Sequence, residues 1–309
     1  MSRIEKKMEL IRTINKISPV RLLLQAKRAR AALRYGYENS IVGSDFARFG
    51  TSIGKQLLIK RVRGGIGFLL APVSITRYFE FQFVRESLLT SAIRCLDVSS
   101  PRLFSLFTAH QSGSARSIKM CNPDSDDIQR TQIIAEALNL QNMTFSTESV
   151  LDLGKQKDTF DCIWSISVVE HISGDYDDCT AAQLMFNALR PGGRLILTVP
   201  TDKRFWNEYR SEDYYGTQPR EDNNYFFQRF YDFEAIKIRL LAPIGMEPTI
   251  IRWFGETENG HFHKYIERRL GSNDWVSIED PYEIVDHYEE YLDFASMPGA
   301  GVCGLVIDK

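Results

Sequence analysis

The stretch Asp158-Thr159-Phe160-Asp161-Cys162-Ile163-Trp164-Ser165-Ile166-Ser167-Val168-Val169-Glu170-His171-Ile172 decides how this chain is read. Its apolar, β-rich run, 160–166, has the length of a buried strand and is too short for an ordinary helix; serines, an acid and a histidine follow it. A helical stretch at 181–189, a Pro191-Gly192-Gly193 turn and a second strand at 194–199 come next. Upstream the same rhythm predicts strands at 93–98, 118–121 and 143–146, with helices at 103–109 and 126–140. Strands alternating with helices pair in parallel through right-handed crossovers, so the expected fold is α/β, a doubly wound and mostly parallel sheet. Downstream, a helix at 232–241 and strands at 245–254 and 301–307 have no crossover helix between the two strands, which predicts an antiparallel C-terminal edge.

Composition agrees with a folded globular chain. Of 309 residues, 43% are hydrophobic and 25% charged, which excludes wholesale disorder and collagen-like repeats. The net charge of −2 hides an asymmetry, because residues 1–34 carry ten Lys/Arg against two Glu. The five cysteines form no C-x-x-C pair, so neither a zinc ribbon nor a disulfide framework is expected, and a reducing, cytoplasmic setting is. The most apolar run, 66–75, falls well short of the ~20 residues of a spanning helix. No export signal is read at the N-terminus.

Residues 1–86 read as a basic helical and irregular extension, and 87–309 as the main domain with an aromatic-rich insertion at 203–231. Ile4, Met8, Ile11, Ile14 and Ile17 fall at helical spacing among Lys6, Lys7, Arg12 and Lys16, and a second helical run covers 20–33. Six glycines between 43 and 72 predict irregular backbone with only short elements. Three readings of the basic arm stay open: a weak membrane-surface helix, a nucleic-acid patch, and a helix docked on protein, including a homodimer. Its isoleucine stripe suits a membrane interface or a protein groove, so no nucleic-acid partner is expected.

The quoted stretch, followed by Leu189-Arg190-Pro191-Gly192-Gly193-Arg194-Leu195, resembles the class I S-adenosylmethionine-dependent methyltransferases of the small-molecule type. The resemblance extends over 91–309, with support from Arg229-Phe230-Tyr231-Asp232 and from Gly245-Met246. It implies a Rossmann-like, seven-stranded sheet with S-adenosylmethionine as cofactor in the crevice at the strands' carboxyl ends. An acid closing the first strand would lie near the methionine amino group, which places Asp97 there with Val98, Ser99 and Ser100. An acid after the second strand would hold the ribose hydroxyls; Asn122 takes that position, with Asp124 in reserve. The loop after the third strand would meet the adenine through Glu148 and Ser149, and Ser165 and Ile166 close the fourth strand beside the site.

One departure stands out. Similar enzymes carry D/E-x-G-x-G-x-G after the first strand, where glycine permits positive φ and close backbone approach. Here the three glycine positions hold Ser99, Pro101 and Leu103. Either Ser99 or Ser100 caps a helix that Pro101 begins, leaving donors for a ligand, or the added side chains close the cradle.

Individual residues carry paired readings. His171 is the candidate catalytic base or a pocket-shaping histidine, and Glu170 orients a loop or caps a helix. Ten aromatics in 29 residues make 203–231 a substrate lid or a self-packed cover. Arg77, Tyr78 and Glu80 either lid the pocket or pack as ordinary helix residues. His261 and His263 would share a face if extended, but without a third local ligand no metal is expected. The expected activity is methyl transfer to a small-molecule or saccharide-type acceptor, O-methylation favoured. The alternatives are a catalytically silent binding or scaffold protein of the same fold, and a binder of a different nucleotide ligand.

Overall fold

The structure, a computed structural model, describes residues 19–174, 176–214, 216, 220–271 and 276–309. The amphipathic run of the basic arm from Ile4 to Ile17 lies outside the described residues, and with it any contact that run makes. Among the described residues no helix is long and apolar enough to cross a membrane.

The strand built by the decisive stretch, β4 (Phe160–Ile166), is buried along its whole length, as a central strand covered on both faces must be. It pairs in parallel with β1 (Arg94–Val98) on one side and β5 (Leu189–Thr201) on the other. Beyond β1 lie β2 (Ser117–Cys121) and β3 (Met143–Ser146), both parallel. Beyond β5, β11 (Gly301–Asp308) runs antiparallel to both β5 and β9 (Ile250–Glu256). The expected sheet carries one strand more than seven, because β10 (Tyr288–Tyr291) adds antiparallel to β9, giving the order β10-β9-β11-β5-β4-β1-β2-β3.

Two local expectations change. Pro191-Gly192-Gly193 lies inside β5 as a bulge: Gly192 takes φ +76°, its amide donates to the Lys309 carbonyl at 2.8 Å, and pairing with β4 skips between Phe160 and Cys162. The two closing strands are no simple hairpin, since helices α9 (His261–Gly271) and α10 (Asp280–His287) and strand β10 intervene.

The extension is more regular than its glycines suggest. It folds as α1 (Pro19–Glu38), α2 (Ser44–Ile59), α3 (Gly65–Leu70) and α4 (Arg77–Ser87). Gly50 and Gly54 sit within α2 because neighbours press on them: a Cβ at Gly54 would stand 2.7 Å from the Leu69 amide and 2.9 Å from the Gly65 carbonyl. These glycines permit close helix packing instead of breaking the helix. The extension shares one hydrophobic core with the sheet, in which Phe46 of α2 stacks near Phe104 and Phe104 meets Trp164 of β4 edge-on. The opposite face is covered by α7 (Asp178–Ala188) and by α8 (Phe233–Ile236), which runs into a π-turn at Lys237–Leu241. Two further helices, α5 (Arg102–Ser112) and α6 (Ser125–Ala137), follow β1 and β2.

Candidate functional site

A cavity of about 950 Å³ opens at the carboxyl ends of β1, β2 and β4. Its floor includes Val98, Ser99, Ser100 and Pro101 after β1, Asn122 and Asp124 after β2, Ser149 after β3, and Ser167 and His171 after β4. Its roof comes from the extension, through Phe68, Pro72, Val73, Arg77 and Phe81. Crevices at this end of an open α/β sheet collect loop amides and helix N-termini, so the position follows from the topology.

The loop after β1 keeps the shape that glycine would give it. Ser99 adopts φ +54°, the left-handed conformation, at the first of the three substituted glycine positions. Neither serine caps α5, which has Pro101 as its N-cap and no side-chain cap. Ser99 instead donates its hydroxyl to the Cys121 carbonyl of β2 at 3.1 Å, and Ser100 Oγ accepts the Ile166 amide of β4 at 3.1 Å. The hydroxyls thus stitch the loop to its two neighbouring strands. Leu103, at the third position, is buried and packs against Gly50 of α2, so the extension supplies the space that the loop's lost glycine would have left.

Six of the ten expected cofactor-binding residues line the cavity: Val98, Ser99, Ser100, Asn122, Asp124 and Ser149. Asp97, Glu148, Ser165 and Ile166 do not. The Asp97 carboxylate is fully buried, accepting the Ser100 amide at 2.9 Å and the Ser105 hydroxyl; burial, more than these bonds offset, pushes its pKa up. Its visible task is to hold the loop. Glu148 is turned aside by an ion pair with Lys119, whose hydrogen bond lowers the acid's pKa. Ser165 and Ile166 are fully buried in the strand. Within the cavity wall, Asn122 Oδ1 accepts the Asp124 amide at 2.9 Å while Asp124 caps α6, so both side chains are engaged in their own turn.

His171 Nδ1 lies 2.6 Å from the Phe227 carbonyl. A carbonyl only accepts, so Nδ1 carries the proton and Nε2 presents the lone pair. Burial holds the ring neutral, with its pKa lowered to about 4. Beside it Glu170 is 1% exposed and raised to about 8 by burial, with Oε2 lacking a hydrogen-bond partner among the described residues.

Sequence reasoning left the role of Glu80 open, and the structure gives it a larger one than a lid. This fully buried acid of α4 pairs with Arg77 and accepts hydroxyls from Ser167, after β4, and from Thr198 of β5 at 2.6 Å. Tyr78 is core. Also unforeseen is the Arg102–Asp127 ion pair, which joins α5 to α6 at the cavity wall. No local pattern could signal the bonds of Glu80 to Ser167 and Thr198 or the Arg102–Asp127 pair, since these partners lie far apart in sequence.

The aromatic insertion forms its own antiparallel sheet of β6 (Trp206–Arg210), β7 (Arg220–Glu221) and β8 (Asn224–Phe230), in the order β6-β8-β7. Its rings pack on one another, as in the parallel stack of Trp206 on Phe230 at 4.4 Å, and no described residue of it lines the cavity. It reaches the site through the Phe227 carbonyl on His171 and through Arg229, which donates to the Ile172 carbonyl at 2.6 Å.

Residues 107–197 match the family model described as a methyltransferase domain. No curated protein sequence matches the chain. Among solved structures it is similar to the [4+2]-cyclase SpnF, at 18% identity and a TM-score of 0.49 over 75% of this chain and 79% of that one. It is also similar to a putative sarcosine dimethylglycine methyltransferase from Galdieria sulphuraria (16%, 0.45, 75% and 85%). A third is geranyl diphosphate C-methyltransferase from Streptomyces coelicolor A3(2) (12%, 0.48, 75% and 77%). Residues 107–197 thus match a methyltransferase domain model, and they lie within the doubly wound, mostly parallel sheet and the crevice that the sequence predicted.

Proposed function

We propose that the protein transfers a methyl group from S-adenosylmethionine to a small-molecule acceptor, with a hydroxyl oxygen as the favoured acceptor atom. The observation that carries this reading is Ser99, which keeps the left-handed turn of a cofactor loop although the glycine is gone. The cavity, at about 950 Å³, lies at the upper end of the roughly 300–1,000 Å³ typical of small-molecule sites, room for a cofactor and a modest acceptor together.

When bound, S-adenosylmethionine supplies an electrophilic methyl on a sulfonium. The residues fitted to hold it are those of the β1 loop, the start of α5, and Asn122 and Ser149 on the wall. Arg77, Phe68 and Phe81 of the roof are left to face an acceptor, and the extension excludes water from the reacting pair. His171, neutral across the physiological range, accepts a hydrogen bond at Nε2 and orients a donor; with a pKa near 4 it is a weak base, so positioning supplies most of the acceleration.

Calorimetric titration of the full chain with S-adenosylmethionine and S-adenosylhomocysteine tests the reading. Saturable binding of both, followed by methyl incorporation in a panel of small alcohols and carboxylates, is the expected result. If neither binds, the fold is catalytically silent.

A further inference from the structure

Helices α9 and α10 bring together three groups that the proposed methyl transfer does not use: His261, Glu283 and His287. The geometry points to a divalent transition-metal site here, of the class that takes two imidazoles and one carboxylate, zinc or cobalt in character.

His261 and His263, which would share a face only if extended, do not share one, because 261–271 is helical and turns residues two apart to different faces; His263 goes toward Trp206 and Asp202. His261, at the first turn of α9, meets α10, where Glu283 and His287 stand four apart on one helical face. One donor atom from each residue lies within 4.8 Å of the others. His261 Nε2 is 2.8 Å from Glu283 Oε2, and the two imidazole rings stack at 3.9 Å. No hydrogen bond to a ring nitrogen of His287 is present among the described residues, so that ligand is uncommitted. Glu283 is 8% exposed, and its other oxygen is held by Arg268, a partner of the kind that fixes a ligating carboxylate in place.

A borderline-soft ion suits this donor set. Imidazole nitrogens favour zinc, cobalt or nickel over magnesium or calcium, and three protein ligands leave a further position for water. Bound there, the ion would tie α9 to α10 beside a second contact between them: Asp280 of α10 accepts the Tyr265 hydroxyl of α9 at 2.7 Å and the Ile75 amide at 2.9 Å. Ile75 belongs to the segment that leads from Pro72 and Val73 to Arg77, the cavity roof. The ion would therefore be a structural clamp on the frame that carries the roof, not a participant in methyl transfer.

The test uses the full chain after chelation, titrated with zinc and, separately, with cobalt as a spectroscopic stand-in. About one equivalent bound, a visible cobalt absorbance that zinc abolishes, and a melting temperature raised by several degrees are expected. His287→Ala, and independently His261→Gln, should lose the absorbance and the thermal shift, with circular dichroism reporting on their folding. His263→Ala should keep both. Absence of cobalt absorbance in the wild type, or its persistence in both cluster variants, overturns the site. These readouts need neither S-adenosylmethionine nor an acceptor, so failure here and failure of the methyl-transfer reading remain separate results.

Discussion

The Glu80 carboxylate accepts the Thr198 hydroxyl at 2.6 Å, which ties the extension to the sheet beside the cavity. The same acid holds Ser167 and Arg77, so one buried side chain fixes the roof, the end of β4 and the middle of β5. Glu80→Ala strands two hydroxyls and a guanidinium and should cost about 3 kcal/mol in urea denaturation. Glu80→Gln, which retains an acceptor, should cost less, and a variant that folds should bind acceptor more weakly before it loses cofactor.

Ser99 offers a comparison of two substitutions. Both Ser99→Ala and Ser99→Gly lose the hydroxyl's bond to the Cys121 carbonyl and keep the amide's, but only glycine relieves the left-handed backbone. The glycine variant should be the more stable of the two by about 1 kcal/mol in equilibrium unfolding. Equal stabilities would mean that the turn is not held at positive φ.

At Gly54 the sign of the effect is diagnostic. Helix propensity alone predicts that Gly54→Ala stabilises by about 1 kcal/mol. The contact with α3 predicts the reverse, a loss of about 1–3 kcal/mol, because the new methyl would meet backbone that cannot yield cheaply. Thermal melts distinguish the two.

Glu170 links stability to pH. Its folded pKa of about 8 lies above the ordinary carboxyl value of 4.5, so the folded state favours the protonated acid. That contribution is fully present below about 4.5 and is lost as pH rises through about 8. His171 acts oppositely at the acid end, where stability falls as pH drops from the ordinary imidazole value of 6.5 through about 4. Glu170→Gln should therefore match the wild type near pH 4.5 and exceed its stability in urea denaturation at pH 9, by on the order of a few kcal/mol. An unchanged alkaline slope would place the loss elsewhere.

The central strands were readable because both of their faces are buried: Phe160–Ile166 has no polar face to disguise its period. The helix Ser44–Ile59 was not, since Gly50 and Gly54 look like breakers until the helices that need them are in view. At the site, position was legible and engagement was not. Asp97 and Asn122 stand at the ends of β1 and β2, where the fold puts ligand contacts, yet their side chains are engaged within their own loops. The choice between lid and packing stayed open for Arg77 and Glu80 because only tertiary packing carries α4 over the sheet, and His261 finds His287 through the pairing of two helices. The insertion's aromatics signalled a cover without saying that the rings would face one another.

Strand β11, at residues 301–308, lies between β5 and β9 and not at an edge. Until those residues emerge from the ribosome, two apolar strands wait with open hydrogen-bonding rows, and the sheet exists only as separated parts. Assembly therefore depends on long-range closure after β5 and β9 have been made, which favours slow folding. Nascent or truncated chains lacking this segment would expose two edges suited to pairing with other molecules, making chaperone dependence and aggregation consequences of where one strand is inserted.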